Sequence, residues 1–185
     1  MRKKVVKFGG SSLASAEQFK KGGEIIRSDE GRRYVVPSAP GKRYSSDIKV
    51  TDMLYDCYQA AADNDAFREK LKKIQERYQE IIDGLGLSLS LDSQFEKIGE
   101  DFKNQKGLDY AASRGEYLNG ILMAEYLGYT FVDPADHIFF DGEGNLDAEK
   151  TDRSLAGKLE HIERAVIPGF YGTDPEGNVK TFSRG

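Results

Sequence analysis

The run Lys7-Phe8-Gly9-Gly10-Ser11-Ser12, arriving straight out of Val5-Val6, restricts the fold more than any other stretch of the chain. Two β-branched residues predict a short buried strand, and the glycine pair ends it. Ser15-Ala16-Glu17-Gln18 then has the form of a capping box, which opens a helix. Strand, bare glycines and helix start, in that order, present backbone N–H groups and a helix N-terminus to an anion. Gly9 and Gly10 carry no Cβ, so a phosphate oxygen can approach the main chain closely. Lys7, at the strand's carboxyl end, adds a mobile point charge for oxygens that gain charge during group transfer. The same pattern also serves as a plain tight connection. It is neither the lysine-and-serine loop of P-loop enzymes nor the three-glycine dinucleotide fingerprint. The phosphate-loop reading therefore needs support from elsewhere.

Support comes from a second unit of the same kind. Arg32-Arg33 leads into Tyr34-Val35-Val36, a strand, which ends at the small-residue loop Pro37-Ser38-Ala39-Pro40-Gly41. Phe19, Gly22, Gly23 and Ile26 mark one face of the helix between the two strands. Two strand–loop–helix units in succession predict a parallel sheet joined by right-handed crossovers. Ligands of such sheets bind beyond the carboxyl ends of the strands, so the two loops should lie side by side.

Residues 42–49 read as a polar, mobile coil, after which Thr51 or Asp52 caps a helix with the stripe Leu54, Cys57, Tyr58 and Ala61. Phe67, Leu71, Ile74, Tyr78 and Ile81 recur at steps of four and three, as do Leu91, Phe95, Ile98 and Phe102. With Gly84-Leu85-Gly86 between them, they predict a helical hairpin over about residues 64–106, packed on itself and on one side of the sheet. Leu108 to Leu127 forms another helix, in which Arg114 and Glu116 stand two apart. That spacing cannot put them on one helix face, so each must face a different partner. Short strands follow at Tyr129–Val132, Ile138–Phe140, Ala165–Ile167 and Val179–Phe182, with a polar helix over Ala148–Leu159.

Composition removes several classes. A net charge of −4 over 185 residues argues against a nucleic-acid partner, which needs a basic face. No apolar run is long enough to span a membrane, and no apolar leader follows Met1-Arg2-Lys3-Lys4. Cys57 is the single cysteine, which leaves no disulfide or thiolate metal site within one chain and fits a reducing cytoplasm. The two histidines, His137 and His161, lack metal-ligand spacing, are expected at the surface and leave little for a mechanism that needs an imidazole base.

Five motifs occur in a fixed order: Lys7-Phe8-Gly9-Gly10-Ser11-Ser12, Val36-Pro37-Ser38-Ala39-Pro40-Gly41, Ser113-Arg114-Gly115-Glu116, Pro168-Gly169-Phe170-Tyr171-Gly172 and Phe182-Ser183-Arg184-Gly185. In these the sequence resembles the aspartate kinases, over its whole length. The resemblance implies the amino-acid-kinase fold: a three-layer αβα arrangement with a mainly parallel sheet, here with the helical hairpin inserted. It implies phosphorylation of the side-chain carboxylate of L-aspartate by ATP with Mg²⁺, at the entry to lysine, threonine and methionine synthesis. Lys7 then resembles the phosphoryl-stabilising lysine. Phe8, Gly9, Gly10 and Ser11 resemble nucleotide-loop positions, and Ser38, Thr51, Glu116, Phe170 and Arg184 the positions around the amino acid. Asp52 falls where some members carry Asn.

Elementary chemistry agrees with that reaction. An acceptor carboxylate of pKa ~3.9 is already ionised at neutral pH and needs no general base. Arg184 can hold an α-carboxylate through two parallel N–H donors, and Glu116 can accept from an α-ammonium. The family pattern runs on past Gly185, so the chain is expected to be the N-terminal portion of one kinase domain, with an incomplete sheet and without the nucleotide lobe or regulatory domains. Alone it is expected to be inactive, and a homo-oligomer is expected. Two alternatives remain: a non-catalytic binding or assembly module, or a kinase of the same fold acting on another small carboxylate.

Overall fold

Side-chain alternation along the strands decides how the layers stack. In the computed structural model, which describes residues 2–183, strands β1 (Lys4–Phe8), β2 (Arg32–Pro37), β3 (Thr130–Phe131) and β4 (Ala165–Val166) form one parallel sheet in the order β1-β2-β4-β3. Val35 and Val166 point to one face, where they join the main core. Their neighbours Tyr34 and Ala165 point to the other, with Val132 and Ile167. A period of two gives each face its own core. The main core is covered by α1 (Ala16–Arg27), α2 (Val50–Gln59), α3 (Asn64–Leu85), α4 (Asp92–Lys103) and α5 (Leu108–Leu127). Leu155 and Leu159 of α6 (Ala148–Leu159) cover the second face, which completes the three-layer αβα order.

The helices follow the sequence closely. Ser15 caps α1 by accepting from the Gln18 amide, and Phe19, Gly22, Gly23 and Ile26 are all buried. In α3 and α4 the apolar stripes are buried except for Leu71, which is half-buried. The hairpin is present, but α3 packs chiefly on α1, α2, α4 and α5 rather than on the sheet. Helix α5 is the central one. It is buried nearly all round and meets α2, α3, α4 and three strands of the sheet, as a helix without a clear polar face should.

Four local expectations are corrected. β1 is not a buried strand: it lies at an edge of the sheet with β2 as its one paired neighbour among the described residues, and Val5 is 67% exposed. Helix α2 is not capped by Thr51 or Asp52. Lys49 holds the N-cap position without a side-chain cap, and Thr51 sits in the first turn. Residues 42–49 are not a coil without anchors: Asp47 is buried, takes the Arg43 amide at 2.9 Å and its Nε at 2.8 Å, and lies 3.4 Å from Nη2 of Arg77 on α3. Ile138–Phe140 makes two isolated bridges, Phe139 to Thr173 and Phe140 to Leu146, instead of a strand. The expected strand Val179–Phe182 appears as β6 (Val179–Thr181), paired antiparallel with β5 (Tyr171–Thr173).

Candidate functional site

Register brings the loops together. Lys7 pairs with Val36 and Phe8 with Pro37, so the chain leaves β1 and β2 at the same level. Val35 pairs with Val166, which brings Pro168-Gly169-Phe170 to the same edge. Three strand ends therefore feed one cleft of ≈ 820 Å³ beyond the carboxyl ends of the sheet.

The floor is main chain. Gly10 runs as the first residue of a short 3-10 turn, Gly10–Leu13, and its carbonyl accepts the Gly41 amide at 2.8 Å. A Cβ on Gly10 would lie 2.8 Å from the Ala39 carbonyl oxygen, and one on Gly41 would lie 2.7 Å from the Gly10 carbonyl carbon. Only glycines allow the loops this close. Ser38 is held from two sides: its amide donates to the Phe8 carbonyl at 3.0 Å, and its own carbonyl accepts from Nδ2 of buried Asn119 at 2.7 Å.

Of the residues expected in the phosphate loop, Lys7, Gly10 and Ser11 line the cleft. Phe8 does not: its side chain is buried against Gly22 of α1, so only its main chain stands near the loop. Gly9 is exposed at the N-cap of the 3-10 turn, outside the lining. Of those expected around the amino acid, Ser38, Thr51, Glu116 and Phe170 line the same cleft. Arg184 lies outside the described residues.

Glu116 reaches the cleft from α5, 7% exposed. Its neighbour Tyr78 is fully buried and donates its hydroxyl to the Gly115 carbonyl at 2.7 Å. Burial, and then the negative charge of Glu116, push the Tyr78 hydroxyl well above its ordinary pKa, so it remains a donor. Arg114, as its spacing requires, points elsewhere. Its guanidinium lies over the rings of Tyr110, Tyr117 and Tyr171 at 4.5, 4.4 and 5.4 Å from their centroids. Through Tyr171 it steadies the strand that follows Phe170. Phe170 has φ of 82°, a left-handed conformation that costs a bulky residue strain. Its carbonyl is fixed by the Phe182 amide at 2.8 Å.

Sequence reasoning left out Lys42 and Lys49, which also line the cleft, and the buried donors Asn119 and Arg77 beneath its loops. Lys42 carried a signal in following the Pro-Ser-Ala-Pro-Gly loop directly. Asn119 stands three residues after Glu116 on the same helix face. Arg77 had no local signal. Among the described residues Lys7, Lys42, Lys49 and Glu116 are the charged residues that line this cleft, a balance that suits a ligand with several negative charges and one positive group. Among the described residues no group of three His, Cys, Asp or Glu could hold a metal ion, and no helix is long and apolar enough to cross a membrane. Among the histidines, His137 is half-buried and bonded to Ser154 Oγ at 2.9 Å, and His161 is exposed.

Residues 2–185 match the amino acid kinase family. The chain is 37% identical to aspartokinase 3 of Bacillus subtilis over 98% of its own length and 43% of that protein's. Its structure resembles the crystal structure of Clostridium acetobutylicum aspartate kinase with a TM-score of 0.95 and 46% identity, over all of this chain and 42% of that one. Escherichia coli aspartokinase III, solved with aspartate and ADP, has the same fold at a TM-score of 0.79 and 21% identity, over 98% of this chain and 43% of that one. The chain thus spans less than half the length of these relatives.

Proposed function

The chain belongs to the amino acid kinase family, and on that premise we propose that it forms the amino-acid side of an aspartate kinase, which transfers the γ-phosphoryl group of ATP to the side-chain carboxylate of L-aspartate. The observation that carries this reading is that Lys7, at the end of β1, and Glu116, on α5, open into one cleft whose floor is glycine main chain. The relatives named as aspartate kinases support the substrate class.

In this reading Glu116 accepts the α-ammonium, and the Ser38 and Thr51 hydroxyls offer short polar contacts to the bound amino acid. Arg184, outside the described residues, is assigned the α-carboxylate. The acceptor oxygen is already anionic, so the chain must offset repulsion between acceptor and phosphate rather than remove a proton. Lys7 does this at the transferring group, where charge builds up on the equatorial oxygens. The bare amides around Gly10 and Ser11 add fixed dipoles without reorganising. With Glu116 the one carboxylate among the described lining residues, the cleft would take Mg²⁺ together with the nucleotide rather than as a bare ion, and such an ion would supply neutralisation of phosphate charge there.

Titration calorimetry with L-aspartate and with MgATP tests the assignment. Glu116→Gln should weaken aspartate by about ten- to a hundredfold, as for a lost charged hydrogen bond, with nucleotide binding kept. Lys7→Ala should do the reverse. Acyl phosphate trapped as hydroxamate measures turnover, and little is expected from residues 1–185 alone. Aspartate binding that ignores Glu116→Gln would overturn the reading.

A further inference from the structure

The hairpin is remote from the cleft in sequence, yet one of its side chains reaches beneath it. Arg77 of α3 is 3% exposed, and its Nη2 donates to the Gly41 carbonyl at 2.7 Å and approaches Asp47 Oδ2 at 3.4 Å. Its Nε and Nη1 are buried without a hydrogen-bond partner among the described residues. A guanidinium brings five N–H donors, and burying it so sparsely satisfied is poor for stability. An unbranched apolar side chain would fill the same space without that penalty. What the apolar chain could not do is hold a carbonyl.

We infer that Arg77 is a positioning residue: its buried guanidinium fixes Gly41, and through the Gly10–Gly41 contact it sets the geometry of the loop that lines the cleft. Gly41 is gripped from both sides, its amide on the Gly10 carbonyl at 2.8 Å and its carbonyl by Arg77. A Cβ at Gly41 would stand 2.8 Å from the Ser11 amide nitrogen, so no slack separates the two loops. A displacement of Gly41 must move Gly10 and Ser11. The same guanidinium is tied to the segment that brings in Lys42 and Lys49, because Asp47 also binds the Arg43 amide and side chain. One buried cation on the hairpin thus joins both borders of the cleft. The role in phosphate binding rests on the proposed kinase reading; the role in placing the loop does not.

The test compares Arg77→Met, which keeps length and loses charge, with Arg77→Lys, which keeps charge and loses the planar fork. Amide exchange is read by NMR at the hydrogen-bonded amides of Ser12, Gly41 and Arg43, alongside thermal melting and MgATP titration. Arg77→Met should stay folded and exchange at least ~tenfold faster at Gly41, at Arg43 and at Ser12, whose amide bonds the Gly9 carbonyl and not Arg77. Its MgATP Kd should rise about tenfold, with Arg77→Lys recovering part of each change. Unchanged exchange at Ser12 in a folded Arg77→Met overturns the inference, and should that variant fail to fold, unchanged exchange at Ser12 in Arg77→Lys does so. If the wild-type chain binds neither L-aspartate nor MgATP, the kinase reading falls, while the exchange comparison still decides the role of Arg77.

Discussion

In the hairpin, contact is made by large side chains meeting one another. Phe102 of α4 has no exposed surface and sits among Tyr58, Phe67 and Tyr110, at 5.3, 6.5 and 6.3 Å between ring centroids, so one ring joins α2, α3, α4 and α5. Beneath the cleft, contact is made by atoms that nearly every residue possesses. Gly10 and Gly41 meet through main chain, and Gly115 of α5 leaves room for the Ala39 methyl, which a Cβ there would meet at 2.7 Å. The first region is specified by what its residues carry and the second by what they lack. Removing atoms should therefore damage the hairpin, and adding atoms should damage the cleft.

The largest effect expected from that contrast is at Phe102. Phe102→Ala should lower unfolding free energy by ~3–5 kcal/mol in urea titrations, the usual loss when a buried aromatic is truncated. Ligand affinities measured on the fraction that stays folded should hardly change. A loss below ~1 kcal/mol would mean the hairpin can collapse around the vacancy, and the contrast would fail there.

Next comes the opposite operation. Gly41→Ala adds one carbon where main chain stands 2.7 Å away, and main chain yields less readily than a flexible side-chain end. The expected stability loss is smaller, about 1–3 kcal/mol. MgATP binding should fall by two orders of magnitude or more, since a shift of ~1 Å in a positioning element can cost about a hundredfold. A folded Gly41→Ala that binds nucleotide normally would show that the floor has slack, and the argument for Arg77 would weaken with it.

The same contrast explains what could be read in advance. Phe67, Ile74, Tyr78 and Ile81 announce their helix because burial repeats with the helical period, and local sequence carries that signal. The loops at Gly10 and Gly41 were legible as small-residue turns after strands, and β1–β2 pairing put them side by side as expected. Glu116 and Phe170 entered through resemblance, because a carboxylate on a helix or a phenylalanine after a strand has no local mark of function. Arg77 and Asn119 escaped both routes. Each acts through a carbonyl 36 or 81 residues away in sequence, a relation that only tertiary structure creates. The exposure of Val5 escaped for a related reason: β-branching predicts a strand but not its place at a sheet edge.

The smallest expected effect concerns acid. Asp101 is 2% exposed and fastens α4 to α5, accepting the Tyr110 hydroxyl at 2.7 Å and Lys97 at 2.9 Å, with Lys106 at 3.0 Å. Burial alone would push its carboxyl up, but the Tyr110 hydroxyl and the two ammonium groups outweigh this and hold it below the ordinary 3.8. A carboxyl depressed in the folded state binds its proton more readily when unfolded, so it stabilises the fold above pH 3.8 and loses that contribution as pH falls through the lower folded value. Asp101→Asn keeps the shape and removes the charge. It should cost about 1 kcal/mol at neutral pH, by analogy with a single buried hydrogen bond, and the gap from wild type should close in urea titrations below pH 3.8. Asp47, held low when the Arg43 amide and guanidinium outweigh its burial, has the same sign, as do Asp29, Glu69 and Asp141 nearer the surface. Asp101→Asn should therefore remove only part of the acid sensitivity. Adding Asp47→Asn should remove more and, unlike the first change, should also loosen residues 42–49, which would separate a charge that serves only the hairpin from one that serves the cleft.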